Sequence, residues 1–337
     1  MTDRLVNPVF VPEDRAEISL RPKTFEEFIG RQKTKENLKI FIEAASRRGD
    51  VMDHTLFSGP PGCGKTTLSQ IVAAQVGTNL VATSGPAIEK PRDLAGILTR
   101  LARGDILFID EIHRLNIVVE EHLYSAMEDF VIDIVVDSGP HARTLKIEIK
   151  PFTLIGATTR EGLISAPLRS RFGVFEKLGY YCAEDLAKII RRSAGILGVQ
   201  AEPAGVEIIA ERSRGTPRIA NRLLRRVRDL AEVRADGRVT LEIAERGLAM
   251  LGVDELGLDE MDRRVLSVLV ASDGVPVGLK TIATSVGETE DTLEEVYEPF
   301  LIQMGLIQKT PRGRVPTPKA YAHLKKTETP RQRGLFE

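Results

Sequence analysis

The glycine-rich segment at residues 59–66, GPPGCGKT, constrains this chain more than any other feature. It fills the pattern G-x-x-x-x-G-K-[ST], with a strand-like run before it and a helix-like run after it. In that setting, backbone N–H groups and a helix N-terminus can point at phosphate oxygens. Lys65 is expected to reach the outer phosphates, and the Thr66 hydroxyl to ligate Mg²⁺. The segment therefore predicts a nucleoside triphosphate site; the alternative is a glycine-rich turn without a ligand.

Two adjacent carboxylates, Asp110 and Glu111, follow the apolar run at 106–109. Four apolar residues rich in β-formers predict a buried strand, which places both acids at its tip. Asp110 can hold the magnesium shell, through water, and Glu111 can polarise an attacking water. Such a pair also occurs on surface turns, but its place after an apolar strand favours nucleotide hydrolysis.

Two further segments carry polar groups suited to the same chemistry. The strand-like run 152–157 leads to Thr159, whose hydroxyl could orient the water or sense the outermost phosphate; a strand leaving the core into a polar loop is equally compatible. Arg171 lies between a proline and a glycine in the segment 166–173, which predicts rigid presentation. It could stabilise transition-state charge in a neighbouring subunit, unless it forms an ordinary surface ion pair.

An arginine lies near the start of a predicted helix, where a positive charge is unfavourable. Thr216 is a good N-cap and Pro217 suits the first helical position, which puts Arg218 in the first turn. A cation there opposes the helix dipole. We expect Arg218 to meet an anion, and a phosphate would serve.

The composition of the 337 residues, 42% of them hydrophobic, predicts two or three domains. No apolar run approaches the ~20 residues of a membrane span, and residues 1–17 lack a signal-peptide core, so we expect a cytoplasmic protein. The two cysteines, Cys63 and Cys182, exclude a disulfide scaffold. Cys63 lies beside a helix N-terminus and Lys65, so we expect a reactive thiolate there. A bound nucleotide would protect it from alkylation.

Three regions follow one another along the chain. Strands alternate with helices from about residue 53 to 181, which predicts an α/β core with a parallel sheet and helices on both faces within 1–181. Residues 182–252 are predicted as helices, at 184–197, 204–213, 217–234 and 241–250. Residues 253–337 fit a winged helix.

A strand pair interrupts the α/β pattern at residues 131–150. In its second strand Leu145, Ile147 and Ile149 alternate with charged residues, which predicts a hairpin with one apolar face. An exposed apolar face usually marks a partner site, and Ile147 and Ile149 are the candidate contacts. The alternative is a hairpin that folds onto its own core.

Charge is divided sharply within the predicted winged helix. Residues 288–298 contain six acids and no base, whereas residues 309–333 contain eight bases and one acid. Phosphates would repel an acidic recognition helix, so DNA should be met by the wing at Lys309, Arg312 and Arg314. Such contacts go to the backbone and carry little sequence information. A basic tail without function is the alternative.

Seven segments, in order, resemble the RuvB family, hexameric AAA+ ATPases that drive branch migration of Holliday junctions. They are LRP at 20–22, GPPGCGKTT at 59–67, LFIDEIHRL at 107–115, GATTR at 156–160, APLRSRFG at 166–173, GTPRIANRLLRR at 215–226 and TPRGRVPTPKAY at 310–321. The resemblance spans nearly the whole chain. It implies a P-loop AAA+ core (1–181), a small helical lid (182–252) and a C-terminal winged helix (253–337).

The resemblance also implies roles for individual residues. Arg171 would be the finger acting in trans, Arg218 the second sensor and Thr159 the first sensor. The implied nucleotide contacts are Leu20, Arg21, Gly62, Cys63, Gly64, Lys65, Thr66, Thr67, Glu128, Asp129, Phe130 and Tyr181, with Thr66 and Asp110 on Mg²⁺. Two departures are small: Cys63 stands where leucine is expected, and Lys309 where arginine is usual.

The resemblance implies a homo-hexamer that uses ATP and Mg²⁺ and moves four-way junctions over any duplex sequence. It implies the junction-binding protein RuvA as the partner of the hairpin, and the RuvC resolvase in the resolving complex. Three rival functions are a replication initiator, a protein-remodelling ring and a nucleotide-binding adaptor. The acidic helix disfavours a replication initiator. The basic wing and the lack of an aromatic pore loop disfavour a protein-remodelling ring. The Asp110–Glu111 pair disfavours an adaptor that binds nucleotide without hydrolysing it.

Overall fold

The computed structural model describes residues 20–135 and 144–324, which divide into two compact units. One unit runs to Ile189 and includes Thr216–Arg218; the other comprises Ile190–Gly215 and the chain from Ile219 onward. No helix within the described ranges is long and apolar enough to cross a bilayer. The predicted hairpin turn and the basic residues beyond 324 lie outside these ranges.

The first unit alternates strands and helices, as its hydrophobic pattern predicts. Its elements are α1 (Gln32–Arg48), β1 (Thr55–Ser58), α2 (Lys65–Val76), β2 (Leu80–Ser84), α3 (Pro91–Leu98), β3 (Ile106–Asp110), α4 (Ile117–Glu128), β4 (Val131–Val135), β5 (Thr144–Glu148), β6 (Thr153–Thr158), α5 (Ala166–Ser170) and β7 (Val174–Lys177). Helix α6 (Ala183–Leu197) begins here and continues into the second unit.

Five strands form one parallel sheet in the order β2-β3-β6-β1-β7. Strand β3 pairs with β6 from Ile106↔Thr153 onward, and β6 pairs with β1 up to Thr158↔Ser58. Parallel strands present their carboxyl ends at one edge. The loops after β1, β3 and β6 therefore leave from adjacent strand tips.

Both faces of this sheet are covered, because successive side chains of a strand point to opposite faces. Leu107 and Ile109 of β3 pack with residues of α3 and α4, whereas Ile106 and Phe108 pack with residues of α1 and α2. All four side chains are at most 1% exposed. The predicted parallel sheet with helices on both faces is confirmed.

The hairpin consists of β4 and β5, which are antiparallel, with Ile132 opposite Ile147. Ile132 and Ile149 are 0% and 6% exposed and belong to the core cluster that contains α3 and α4, and Ile147 packs against that cluster. Leu145 is 53% exposed. The expectation that Ile149 contacts a partner is therefore wrong, since its side chain stabilises the attachment of the hairpin; Ile147 is only partly accessible, and Leu145 is the available apolar group.

The second unit is mostly helical. It contains the C-terminal part of α6, then β8 (Gln200–Ala201), α7 (Pro203–Glu211), α8 (Pro217–Arg234), β9 (Arg238–Val239), α9 (Leu241–Met250), α10 (Glu260–Val270), α11 (Leu279–Val286), α12 (Glu290–Thr292), a π-helical turn (Leu293–Tyr297), α13 (Glu298–Gln303), β10 (Ile307–Thr310), β11 (Gly313–Pro316) and α14 (Pro318–His323). Helices α10 and α11, the continuous helical segment from α12 to α13, and the antiparallel β10–β11 pair confirm the winged helix.

We predict that truncating Ile149 lowers the free energy of unfolding far more than truncating Leu145 does. Ile149→Ala removes a buried side chain and should lower the free energy of unfolding by ~2–4 kcal/mol. Leu145→Ala, on the exposed part of the same strand, should stay within ~0.5 kcal/mol. Urea denaturation measures both. Equal destabilisation would contradict the placement of Leu145 on the surface.

Candidate nucleotide site

The phosphate loop connects the tip of β1 to the start of α2, as its motif predicts. Gly59 has a φ of 144°, and a Cβ atom built there would lie 2.0 Å from the carbonyl oxygen of Leu178. Only glycine fits at this position. The close approach lets the loop fold back over the strand tip, so that residues 62–67 lead directly into the first turn of α2.

Lys65 is the buried cation of the site. Its side chain is 7% exposed, and Nζ donates hydrogen bonds to the carbonyl oxygens of Gly59 and Pro60 at 2.7 and 2.9 Å. Burial lowers the pKa of the ammonium, and the Asp110 and Glu111 carboxylates act in the opposite direction. An ammonium held in this way is oriented for phosphate oxygens that enter the loop.

The two carboxylates lie at the tip of β3. Asp110 Oδ1 accepts the Glu111 N–H at 3.0 Å, which fixes its carboxylate at the strand end. Glu111 has a φ of 48°, a left-handed conformation uncommon for a residue other than glycine. Its Oε2 accepts a hydrogen bond from Arg114 Nη1 at 3.0 Å, and its side chain is 37% exposed. The two acids thus have different hydrogen-bond partners at the strand tip.

The structure distinguishes two successive threonines after β6. The Thr158 hydroxyl accepts the Arg160 N–H and lies 3.0 Å from His113 Nδ1, so its bonding capacity is used. The Thr159 hydroxyl is buried and has no hydrogen-bond partner. A buried hydroxyl without a partner is costly unless a ligand satisfies it. Thr159 is therefore the threonine that suits a phosphate or an attacking water.

Arg218 and Thr216 lie beside the phosphate loop. A Cβ atom at Gly62 would be 3.0 Å from Arg218 Cβ and 3.7 Å from Thr216 Cβ. The positive charge of Arg218 also acts on the pKa values of Cys63 and Lys65, lowering both. The Thr216 hydroxyl is buried without a partner, so it does not cap α8 as its sequence suggests. Both residues therefore lie next to the loop that is predicted to bind phosphate.

Tyr181 borders the other side of the loop. Its ring is 9% exposed and lies 4.5 Å from the Arg31 guanidinium, and a Cβ atom at Gly64 would be 4.0 Å from its hydroxyl. Burial raises the pKa of Tyr181 to about 12. Its position next to the phosphate loop agrees with the implied nucleotide contact. Leu20 is buried and Arg21 half-buried, and their roles stay predictions.

Arg171 lies in a separate cluster on α4 and α5. Its guanidinium is 4.4 Å from the centre of the Tyr124 ring, Nη1 donates to Pro167 O at 2.8 Å, and Nη2 donates to Glu128 Oε2 at 3.0 Å. The side chain is 19% exposed and Nε is buried without a partner. Arg171 thus follows α5 directly, as a C-cap, instead of lying in an extended loop.

The segment Glu128-Asp129-Phe130 contributes to the Arg171 cluster and to the core. Glu128 and Asp129 are exposed, whereas Phe130 is half-buried and packs against Phe152 with ring centres 6.1 Å apart. The Glu128–Arg171 ion pair connects this segment with the finger. The implied nucleotide contacts of Glu128 and Asp129 stay predictions, and the Phe130 ring contributes to packing.

The residues present fit a nucleotide with magnesium. Two buried hydroxyls without partners, on Thr159 and Thr216, accompany a buried ammonium and a glycine-lined loop. Thr66 and Thr67 are half-buried in the first turn of α2. Thr66 and Asp110 supply the oxygen ligands that Mg²⁺ prefers.

The structure corrects the expectation for Cys63. Its side chain is 0% exposed within the core cluster that contains α1 and α2. Burial raises the pKa of the thiol to about 11, although Lys65, Arg31 and Arg218 act to lower it. Desolvation thus outweighs the neighbouring positive charges. Cys63 is a packing residue of the phosphate loop.

The wing also differs from expectation. Arg314 is 11% exposed and its Nη2 donates to Oε2 of the buried Glu298 at 3.0 Å, while Lys309 Nζ donates to Glu294 at 3.0 Å. Glu298 raises the pKa of Arg314 further. Arg312 is exposed. The acids that the sequence assigns to phosphate repulsion therefore neutralise two wing bases, and because Nε and Nη2 of Arg314 face Glu298, only Nη1 is left for a phosphate.

Three residues of these clusters received no functional role from the sequence. Arg31 stacks on Tyr181, His113 bonds to Thr158, and Tyr124 supports Arg171. Each is far in sequence from the group that it contacts. His113 follows the carboxylate pair closely, and this proximity is the one hint that could have identified it.

We predict that thiol reagents distinguish the two cysteines. At pH 8 roughly one part in a thousand of Cys63 would be ionised, since its pKa is about 11. Iodoacetamide should therefore modify exposed Cys182 and leave ATPase activity unchanged, and Cys182→Ser should be inert. Mass spectrometry of peptides gives the site. Inactivation of the Cys182→Ser protein by the reagent would contradict the burial of Cys63.

Three family models match consecutive parts of the chain. The model described as the Holliday junction DNA helicase RuvB P-loop domain matches residues 20–178. The RuvB AAA lid domain matches residues 181–254, and the RuvB C-terminal winged helix domain matches residues 255–325. The matches agree with the sequence motifs and with the order of the folded regions.

Curated relatives and solved structures are similar over almost the whole chain. A protein of Methanoregula boonei named Holliday junction branch migration complex subunit RuvB is 56% identical over 337 residues, which is 100% of both chains. A protein of the same name from Salinibacter ruber is 56% identical over 94% of this chain and 93% of its own. The structure of the Thermotoga maritima RuvB Holliday junction branch migration motor has a TM-score of 0.84 at 51% identity, covering 93% of this chain and 100% of that one. This chain therefore belongs to the RuvB family of branch migration ATPases.

Proposed function

We propose that this chain hydrolyses ATP at the strand-tip site and uses the energy to move duplex DNA through four-way junctions. One observation carries the proposal: the buried Lys65 ammonium shares its site with two buried hydroxyls that have no protein partner. Such a site is complete only with an anionic ligand. The carboxylate pair beside it supplies what hydrolysis needs beyond binding.

Each side chain of the site has a defined task. Lys65 binds the β- and γ-phosphates, and Thr66 and Asp110 hold Mg²⁺, which offsets phosphate charge when bound. Glu111 orients the attacking water and accepts its proton, while its Oε2 also accepts a hydrogen bond from Arg114. Thr159 donates its free hydroxyl to the γ-phosphate or the water.

The active assembly in this proposal is a homo-hexamer, because the finger acts between subunits. The contacts of Arg171 lie on α4 and α5, and none of them is a residue of the phosphate loop. Arg171 would complete the site of the adjacent subunit and stabilise charge on the transferred phosphoryl group. Arg218 acts on the nucleotide of its own chain, since it lies beside Gly62.

The partners follow from the two remaining surfaces. The winged helix would bind duplex DNA through Lys309 and Arg312, with Arg314 holding the wing to α13 and adding at most one contact. The hairpin would bind RuvA through its exposed part, where Leu145 replaces Ile149 as the main apolar contact. The RuvC resolvase would join the same complex on DNA. The whole assembly would act in the cytoplasm.

Glu111→Gln tests the hydrolytic role directly. We expect kcat for ATP to fall by ~10²–10⁴, because the water loses its proton acceptor, while ATP affinity stays within about twofold. Glu121→Gln, an exposed acid on α4, is the matched control and should behave like the unaltered chain. Steady-state phosphate release and equilibrium nucleotide binding measure the two quantities. Near-normal turnover of Glu111→Gln would remove Glu111 from the mechanism.

Arg312→Ala tests the wing. Loss of one phosphate contact should lower the slope of log affinity against log salt by ~0.9, equally on unrelated duplexes. Arg246→Ala removes one exposed charge from α9 and should leave the slope unchanged.

Arg314→Ala should affect the stability of the protein, whereas Arg312→Ala should affect only DNA binding. It leaves Glu298, 7% exposed, without its partner and should destabilise the second unit by about 3 kcal/mol. Salt titrations by fluorescence anisotropy and urea denaturation separate these effects. A preference for one duplex that disappears in Arg312→Ala would show base reading, contrary to the proposal.

A further inference from the structure

The short helix α5, which presents Arg171, is fastened to α4 at its N-terminus. Ser165 caps α5 by accepting the Leu168 N–H at 3.2 Å. The Ser165 and Tyr124 hydroxyls both donate to one oxygen of Glu120, a carboxylate that is 8% exposed. These two hydroxyls are 3.1 Å apart. Tyr124 therefore belongs to a buried polar network, which fixes the position of its ring.

The ring in turn supports the finger at the other end of α5. The Arg171 guanidinium carbon lies 4.4 Å from the ring centre of Tyr124. A ring attracts the face of a guanidinium and leaves the N–H groups at its edge free for anions. Glu128 and Pro167, by contrast, accept hydrogen bonds from those edge groups. Tyr124 is thus the contact that can persist while Arg171 binds a phosphate, whereas Glu128 occupies the edge that a phosphate would take.

We infer that Tyr124 is a positioning residue for Arg171, and that it acts on ATP hydrolysis in the adjacent subunit. The inference rests on the proposed function of Arg171 as a finger in trans. In this inference Tyr124 acts through Arg171: it holds the guanidinium at a fixed place relative to the capped helix. Without the ring, the arginine has more conformations to lose before it reaches the transition state.

Two substitutions separate the ring from its hydroxyl. Tyr124→Leu should lower kcat about tenfold, which lies between the effects of an exposed and a desolvated cation–π contact, and leave KM and nucleotide affinity within about twofold. Tyr124→Phe retains the ring but loses its hydrogen bond to Glu120, so kcat should fall by less than in Tyr124→Leu. Thermal unfolding shows whether each variant is folded. A folded Tyr124→Leu protein with normal kcat would overturn the inference, as would a Tyr124→Phe protein as slow as Tyr124→Leu.

Mixed assemblies test in which chain Tyr124 acts. Lys65→Ala chains have no working phosphate loop but an intact finger. Arg171→Ala chains have a working phosphate loop but no finger. Tyr124→Leu chains should gain ATPase activity when mixed with Lys65→Ala chains and gain none with Arg171→Ala chains. A gain of ATPase activity only in the mixture with Arg171→Ala chains would mean that Tyr124 acts on the site of its own chain, and it would overturn the inference.

A mixture of Lys65→Ala with Arg171→Ala provides the reference, and it should recover activity. If this reference mixture stays inactive, the finger in trans itself is wrong and the inference falls with it. If the reference recovers and the Tyr124→Leu mixtures do not follow the stated pattern, the inference alone fails.

Discussion

The burial of one ammonium group is the constraint on which the rest of the site depends. Lys65 is 7% exposed and loses hydration, which lowers the pKa of its side chain. The Gly59 and Pro60 carbonyl oxygens accept hydrogen bonds from its Nζ, and the negative charges of Asp110 and Glu111 favour the charged form of the lysine. Adjacent parallel strands bring these groups together at one edge of the sheet, with the phosphate loop after β1 and the acids after β3. The geometry of the fold therefore keeps a buried cation charged at the edge of the sheet where the phosphate loop and the two acids lie.

Two arginine–glutamate pairs in this chain show how burial decides what an ion pair can do. Arg171 pairs with Glu128, which is 55% exposed, so water or a phosphate can replace the carboxylate at modest cost. Arg314 pairs with Glu298, and both side chains are about one-tenth exposed. Breaking that pair would leave a buried charge without a partner. The first pair suits a group that changes partners during a cycle, and the second suits a fixed joint between wing and helix.

Sequence reasoning predicted the features that depend on local order. The phosphate loop, the strand with its terminal acids and the helices of 182–252 are found within a few residues of their predicted bounds. It was wrong where the outcome depends on distant neighbours. Cys63 is buried by α1 and α2, Ile149 by α3 and α4, and Arg314 is paired across the winged helix. Alternation and charge identify a face, but contacts far along the chain decide whether that face meets solvent.

The central claim is that ATP hydrolysis at this site moves a branched junction irrespective of its sequence. The most direct measurement is the rate at which a synthetic four-way junction separates into duplex products with ATP, with and without RuvA. The account predicts separation that requires hydrolysis, is faster with RuvA and proceeds at similar rates on junctions with unrelated arms. Rapid ATP hydrolysis on junction DNA without separation, or separation that proceeds equally with a non-hydrolysable ATP analogue, would contradict it.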